Sequence, residues 1–338
     1  MTTLISAIIV NWNDRDRTAD CLRSLSAQDH PAVDIIVCDN GSTDGSVPFL
    51  RERFPQVRII ENRRNLGFGA AVNRGFEAAR GEHLIFLNND LVLAPDCLRR
   101  LSARLSADAT LGGAVPKILF EEPRDRINSF GVEIHYTGMA GPHLIGVADS
   151  PRLAAYETAC GGIFMMPRAV VEATGGFDPA LFLYHEDHDL SWRIRLLGRR
   201  LLACPEAVCY HHYQFSKGVR KYYWSEKNRL AVLLKNYRWR TLALLLPALL
   251  ALEAAQWVHA LGNGWFGLKL KSYLELVRDW PGLMERRARV QATRRVSDAE
   301  ITALHESTLR LSGVRSPWLE KGLNPLLAWY WEKIRRWI

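Results

Sequence analysis

LISAIIVNWND at residues 4–14 and HLIFLNND at residues 83–90 decide the fold. In each, an unbroken apolar run of strand length stops abruptly in a cluster of Asn and Asp. A run without alternation suits a strand buried on both faces, the condition of a parallel sheet covered by helices. Between these stretches Ala19, Leu22 and Leu25 recur at helical spacing over residues 17–27. Residues 34–38 read as a second short buried strand, 57–61 as a third and 70–79 as a helix. Strand and helix alternation of this kind predicts an α/β layer with a mostly parallel sheet. Ligands of such sheets bind beyond the carboxyl ends of the strands, where residues 11–14, 39–44 and 88–90 fall.

Periodicity weakens over residues 120–160, where Gly131, Gly138, Gly141 and Gly146 predict loops and short strands that shape a cleft. Order returns at 161–166, followed by a helix through Glu172, a GGFD turn and a helix that starts near Glu186. Past Tyr222 the composition turns to long helices. The run LALLLPALLAL is interrupted by Pro247 and followed by Glu253, Gln256 and His259 at intervals of three. It falls short of the roughly 20 apolar residues of a spanning helix and predicts one lying in a membrane interface with its polar stripe toward water. Packed core helices explain the same pattern without a membrane. The expected division is a catalytic domain at 1–236 and a helical, Trp- and Arg-rich membrane-associated region at 237–338.

With 338 residues, 48% hydrophobic and 24% charged, the composition excludes fibrous and low-complexity classes. A formal charge of +8 favours an anionic partner. All of the eleven Trp except Trp12 and Trp192 lie beyond residue 220, among Arg, Lys and long aliphatic runs, which is the mixture a membrane surface selects. Six cysteines without a CxxC pair predict a reduced compartment, and the start of the chain lacks a secretory signal pattern. The expected location is cytoplasmic, peripheral at the inner face of the cell membrane.

Four clusters carry possible chemistry. Asp90 closes an apolar strand, so its carboxylate suits a hard divalent cation that takes one or two carboxylates plus substrate phosphates; an N-cap of the next helix is the alternative. Asp39 and Asp44, in DNGSTD, could hold a nucleotide base and the ribose hydroxyls, although an Asx turn explains the same residues. His185-Glu186-Asp187-His188-Asp189 crowds acids beside Phe182 and Tyr184, which invites a raised carboxyl pKa and general-base work; acids at a helix N-terminus are the plainer reading. His211 and His212 end a short strand at 207–210 and are either metal ligands or structural.

Taken together these clusters resemble a family 2 glycosyltransferase with the GT-A fold, and within it the rhamnosyltransferase-like branch that builds bacterial and archaeal surface polysaccharides. The likeness covers residues 4–236. It is carried in order by SAIIVNWNDRDRTADCLRSLSAQ, DIIVCDNGSTDGS, ENRRNLGFGAAVNRGFEAARGEHLIFLNND, CGGIFMMPRAVVEATGGFDPALFLYHEDHDLSWRIRLLG, PEAVCYHH and YYWSEKNRLAVLLKNY.

The resemblance implies a donor site that includes Asn11, Asp39, Asn40, Asp44, Asn65, Gly67, Asn73 and Asn89. It implies Asp90 as metal residue, with the family's acidic DxD motif reduced to NND, and His211 rather than His212 completing the metal site. Asp187 becomes the catalytic base, with Glu186 and Asp189 in support.

The expected function is inverting, metal-dependent transfer of a sugar, rhamnose first, from a nucleotide-diphosphate donor to a glycan or lipid-linked acceptor. Mg2+ or Mn2+ is the expected cofactor. A dinucleotide-dependent oxidoreductase would need GxGxxG where Asn11-Trp12-Asn13-Asp14 stands. A silent nucleotide-binding membrane adaptor would not need the Asp90, Asp187 and His211 set. A nucleic-acid binder should line one face with basic and aromatic residues, whereas the tail reads as helices with apolar faces.

Overall fold

The computed structural model describes residues 2–212, 220–310 and 319–338. Contacts divide the chain into two units: Met1–Val132, Pro142–Ile194 and Arg199–Gln214 in the first; Glu133–Gly141, Arg195–Gly198 and Phe215–Ile338 in the second.

The first unit alternates strands and helices as the sequence predicts: β1 (Ile5–Asn11), α1 (Arg15–Ser26), β2 (Val33–Asp39), α2 (Ser46–Arg53), β3 (Arg58–Glu61), α3 (Phe68–Ala78) and β4 (His83–Asn88). Then come β5 (Leu91–Leu93), α4 (Cys97–Ala107), β6 (Leu111–Phe120) and the short strand β7 (Ile127–Ser129). Strands β1 to β4 pair in parallel, and the register sets Asn11 beside Asp39 and Val10 beside Asn88. Three polar strand ends therefore share one rim. Ile8, Ile36 and Ile85 are fully buried beneath it, each burial contributing about 1.5–3 kcal/mol. Helix α3 lies close on this sheet because Gly75 has no side chain; a Cβ there would stand 2.3 Å from Ile8 Cγ2.

Further along are β8 (Val132–His135), β9 (Ala140–Pro142), β10 (Tyr156–Glu157), β11 (Met165–Pro167), α5 (Arg168–Thr174), α6 (Glu186–Leu196) and β12 (Arg200–His211). The sheet order is β10-β12-β6-β11-β4-β1-β2-β3. Strand β11 is antiparallel to both neighbours, while β12 runs parallel to β6. The sequence shows only residues 207–210 of β12, because the Cys204-Pro205 region carries a register shift that interrupts the pattern. After β4 the chain doubles back through Asn89 and Asp90, and β5 pairs antiparallel with the end of β12, setting Leu91 opposite His211.

The second unit holds α7 (Arg220–Asn236), α8 (Trp239–Gly262), α9 (Phe266–Arg278), α10 (Trp280–Thr293), α11 (Asp298–Thr302), β13 (His305–Glu306) and α12 (Asn324–Ile334). Helix α7 belongs here, not with the α/β unit as a division at 236 supposes, since its Glu226 and Arg229 pair with side chains of α8 and α9.

Two expectations about α8 are corrected. The helix runs unbroken through Pro247 for 24 residues and is long and apolar enough to cross a membrane by length and composition. Its Glu253 and Gln256 do not face water; both bind Lys269 of α9, at 2.9 and 3.0 Å. The charged partners on α7 and α9 draw these side chains inward, and Leu246 and Leu250 are left outside.

Candidate active site

At the ends of β1 and β2, the buried Asn11 donates through Nδ2 to Asp39 Oδ1 at 2.8 Å and to Ser42 Oγ at 3.0 Å. Asp39 Oδ2 accepts from the backbone N–H groups of Gly41 and Ser42. The DNGSTD loop is thus the Asx turn that its composition predicts, and its carboxylate is held by the loop itself. Asp44 accepts from Ser46 N and Arg15 N. Burial raises its pKa, but these hydrogen bonds outweigh it and hold the carboxyl below its usual range.

Asn40 joins this loop to the next. Its Nδ2 donates to Gly67 O and Asn65 Oδ1, and Asn65 Oδ1 also accepts from Gly67 N at 2.9 Å. Gly67 has φ +85°, and a Cβ there would stand 2.4 Å from Phe182 O, so only glycine lets α3 start this close to the 182 segment. Asn73 is directed elsewhere: its carboxamide exchanges two 2.9 Å hydrogen bonds with the Phe177 backbone, clasping α3 to the GGFD turn.

On the other side of β1, Asn89 donates to Thr18 Oγ1, which itself donates to Asn11 Oδ1. Asp14 belongs to the same rim. Burial, with the nearby charges of Asp90 and Asp44, holds its carboxyl above the usual range against the pull of Arg17. This carboxylate lies within NWND, where spacing alone assigns it no role.

Asp90 and His211 meet. His211 Nε2 lies 3.2 Å from Asp90 Oδ2, and His211 Nδ1 lies 2.9 Å from Asn128 Oδ1. A carboxamide oxygen only accepts, so Nδ1 carries the hydrogen; in the neutral ring the Nε2 lone pair then faces a carboxylate oxygen. Two acceptors at that separation call for a proton or a cation between them. His212 turns its ring away to Glu121 at 2.8 Å, while its N–H donates to the Asp90 carbonyl. Among the described residues, no group of three or more His, Cys, Asp and Glu converges as a metal cage. A cation that also binds substrate phosphates takes as few as one or two protein ligands. Asn128 escapes sequence reading because it lies in the weakly patterned 120–160 segment.

Asp187 occupies a second cluster. It lies in the first turn of α6 after Tyr184 and His185, two residues in left-handed backbone, with φ 67° and 65°. Burial pushes its carboxyl up, while the His188 N–H and the Cys160 thiol, with Sγ 3.9 Å from Oδ2, pull it down less strongly. Gly162 leaves room beside it: a Cβ there would stand 3.9 Å from Oδ2.

Its neighbours fix the helix. Buried His188, pushed down to about 3 by burial, stacks on Trp192. Asp189 is fully buried and pairs with Arg193 at 2.8 Å, and Arg193 donates onward to the carbonyls of Thr174 and Gly176. Glu186 is buried beside Asp187.

Residues 6–171 match the model for Glycosyl transferase family 2. Over 245 residues the chain is 27% identical to N-acetylglucosaminyl-diphospho-decaprenol L-rhamnosyltransferase of Mycobacterium tuberculosis, covering 64% of this chain and 79% of that protein. Over 149 residues it is 32% identical to poly(ribitol-phosphate) beta-glucosyltransferase of Bacillus spizizenii, covering 39% of this chain and 24% of that one. Among solved structures it is similar to GalNAc-T7 with UDP, GalNAc and Mn2+, at TM-score 0.54 and 20% identity, covering 69% of this chain and 48% of that one. It is also similar to the mannosyltransferase PcManGT of Pyrobaculum calidifontis with GDP-Man and Mn2+, at TM-score 0.50 and 18% identity, covering 100% and 88%. The α/β unit has a GT-A-like fold with a mostly parallel central sheet, as the sequence implied.

Proposed function

We propose that this chain, a glycosyltransferase whose residues 6–171 form a glycosyl transferase family 2 domain, moves a sugar from a nucleotide-diphosphate donor to a hydroxyl of a lipid-linked glycan, with inversion. The observation that carries the metal-dependent reading is the meeting of Asp90 and His211 with the His211 tautomer set by Asn128. That arrangement fits Mg2+ or Mn2+, and Asp90 and His211 would hold it. Bound there, a divalent cation supplies Lewis-acid neutralisation of the departing diphosphate.

The nucleotide belongs on the rim built by Asn11, Asp39, Asn40, Asp44, Asn65, Gly67 and Asn89, with Asn73 positioning the loop from behind. Asp187 is the base: it takes the proton of the acceptor hydroxyl as that oxygen attacks the anomeric carbon from the face opposite the leaving group. Its raised pKa favours this, since a carboxyl nearer neutrality accepts a proton more readily. Glu186 supports the same end of α6, and Asp189 holds α6 in place.

Rhamnose is the first donor sugar to test, because the mycobacterial relative is named for L-rhamnose transfer to a diphospho-decaprenol lipid. A lipid acceptor places the protein at the inner membrane surface. The deciding experiment screens nucleotide sugars for protection against thermal unfolding with and without Mn2+, then assays transfer of the labelled sugar to a polyprenyl-diphosphate glycan. Protection by one class of donor only when metal is present is the expected result; protection by none, with no transfer, overturns the proposal.

A further inference from the structure

Within the helical unit, α8 and α9 leave large apolar side chains exposed while charged ones are buried beneath them. On α8, Leu246, Leu250, Val258 and Leu261 stand 51–70% exposed. On α9, Phe266, Leu270, Leu274 and Val277 are 42–70% exposed at the i, i+4, i+8, i+11 spacing of one face. A charged cluster lies beneath these faces. Lys269 and Arg229 are fully buried, and Lys269 Nζ lies 2.7 Å from Glu226 and 2.9 Å from Glu253. Arg229 also pairs with Glu253, and Gln256 donates to Glu226 at 2.8 Å. Two cations and two carboxylates cancel, so the interior is polar and neutral.

Helix α10 of the same unit obeys the opposite rule. Glu285 and Arg289 face out, and Leu283 and Val290 face in. One folded unit thus presents two kinds of surface, charged at α10 and apolar at α8 and α9. The edges agree: Trp239 and Trp280 are exposed at the start of α8 and just past the end of α9, and Arg238, Arg240, Lys271 and Arg278 are exposed along the flanks. Aromatic and basic flanks of this kind match the headgroup layer of an acidic bilayer. Helix α9, 13 residues and about 20 Å long, cannot cross a hydrocarbon core of about 30 Å. The inner face of α8 bears Glu253 and Gln256, which bind α9.

We propose that the outer faces of α8 and α9 are embedded together in one leaflet of a phospholipid bilayer, with acidic headgroups against the four flanking basic side chains. This deepens the membrane-surface reading above, on which it rests, and names the face that makes the contact.

The test uses the full chain. All six native cysteines are buried, so an environment-sensitive fluorophore can be attached selectively at Leu250→Cys or, as the water-facing control, at Glu285→Cys. With vesicles of phosphatidylcholine plus phosphatidylglycerol, emission at 250 should shift to the blue and rise, emission at 285 should stay unchanged, and pure phosphatidylcholine should bind more weakly. Leu250→Glu with Leu274→Glu should lower vesicle affinity by at least about tenfold, as two leucines withdrawn from hydrocarbon dictate.

Equal responses at 250 and 285, wild-type vesicle binding by the double variant, or a lipid-free dimer that covers position 250 and ignores vesicles would each overturn the proposal. Mn2+-dependent binding of nucleoside diphosphates to the same double variant separates the two readings. If nucleotide binds and wild-type vesicle binding persists, the membrane face is wrong; if vesicles respond as expected and nucleotide does not bind, the glycosyltransferase site is wrong.

Discussion

His211 and Asp90, 121 residues apart in the chain, stand with Nε2 and Oδ2 3.2 Å from each other at the end of β12. Replacing either removes half of the protein's share of the proposed cation site. Asp90→Ala and His211→Ala should each abolish the Mn2+-dependent part of the thermal shift given by a nucleoside diphosphate. Isothermal titration with Mn2+ plus nucleotide checks this, and an unchanged metal response in both variants would remove the pair from the site.

Asn128 acts through His211, not on substrate. Asn128→Ala frees the imidazole to take the other tautomer and should weaken metal affinity by about 10–100-fold, as loss of an outer partner usually does. Asn128→Asp, which keeps an acceptor on Nδ1, should retain affinity. The comparison is made by metal titration monitored by protein fluorescence, and equal loss in both variants would point to a merely structural role.

Asp187→Asn should retain donor binding and lower transfer by roughly 10²–10⁴-fold, the range for losing a general base. Because burial raises the Asp187 pKa, the acidic limb of kcat/KM in the wild type should lie above the ordinary carboxylate range, with activity lost as pH falls through the raised value. The stability effect has the opposite sense. A carboxyl whose folded pKa is raised favours the fold below its unfolded pKa, and that contribution is lost as pH rises through the folded value. Asp187→Asn should therefore be at least as stable as wild type at neutral pH, measured as Tm, while being inactive.

Asp189 and Arg193 are both buried, and cutting the pair leaves a charge without its counterion. Arg193→Leu should cost about 3–5 kcal/mol in urea unfolding. It should also release the GGFD turn, whose Gly176 carbonyl Arg193 holds, so that protease cleavage near Gly176 becomes faster.

Much of this was legible because the α/β unit obeys strand and helix periods: Leu4 to Val10 and His83 to Leu87 could be read as buried strands, and the ends of both carry the proposed site. What escaped depended on partners distant in sequence. Asn128 has no pattern around it, and its role comes from a fold that brings it to His211. Asn73 looks like a ligand residue in a motif, yet its carboxamide clasps the Phe177 backbone, which spacing alone does not reveal. The polar stripe of α8 is legible, but hydrophobic periodicity states only that a helix has two faces; Arg229 and Lys269 decide that Glu253 and Gln256 turn inward, while His259 stays exposed.

The turn at Asn89 and Asp90 joins strands that the sheet order keeps apart. Strand β4 ends at Asn88 in the pairing with β1, and three residues later Leu91 already stands opposite His211 of β12. Loops usually tolerate gain or loss of a residue, but here a single deletion would slide β5 by one position along β12 and flip its side chains to the opposite face of the sheet. This turn is therefore a ruler, and length variation among natural or engineered homologues should be far scarcer there than in the segment around Gly146.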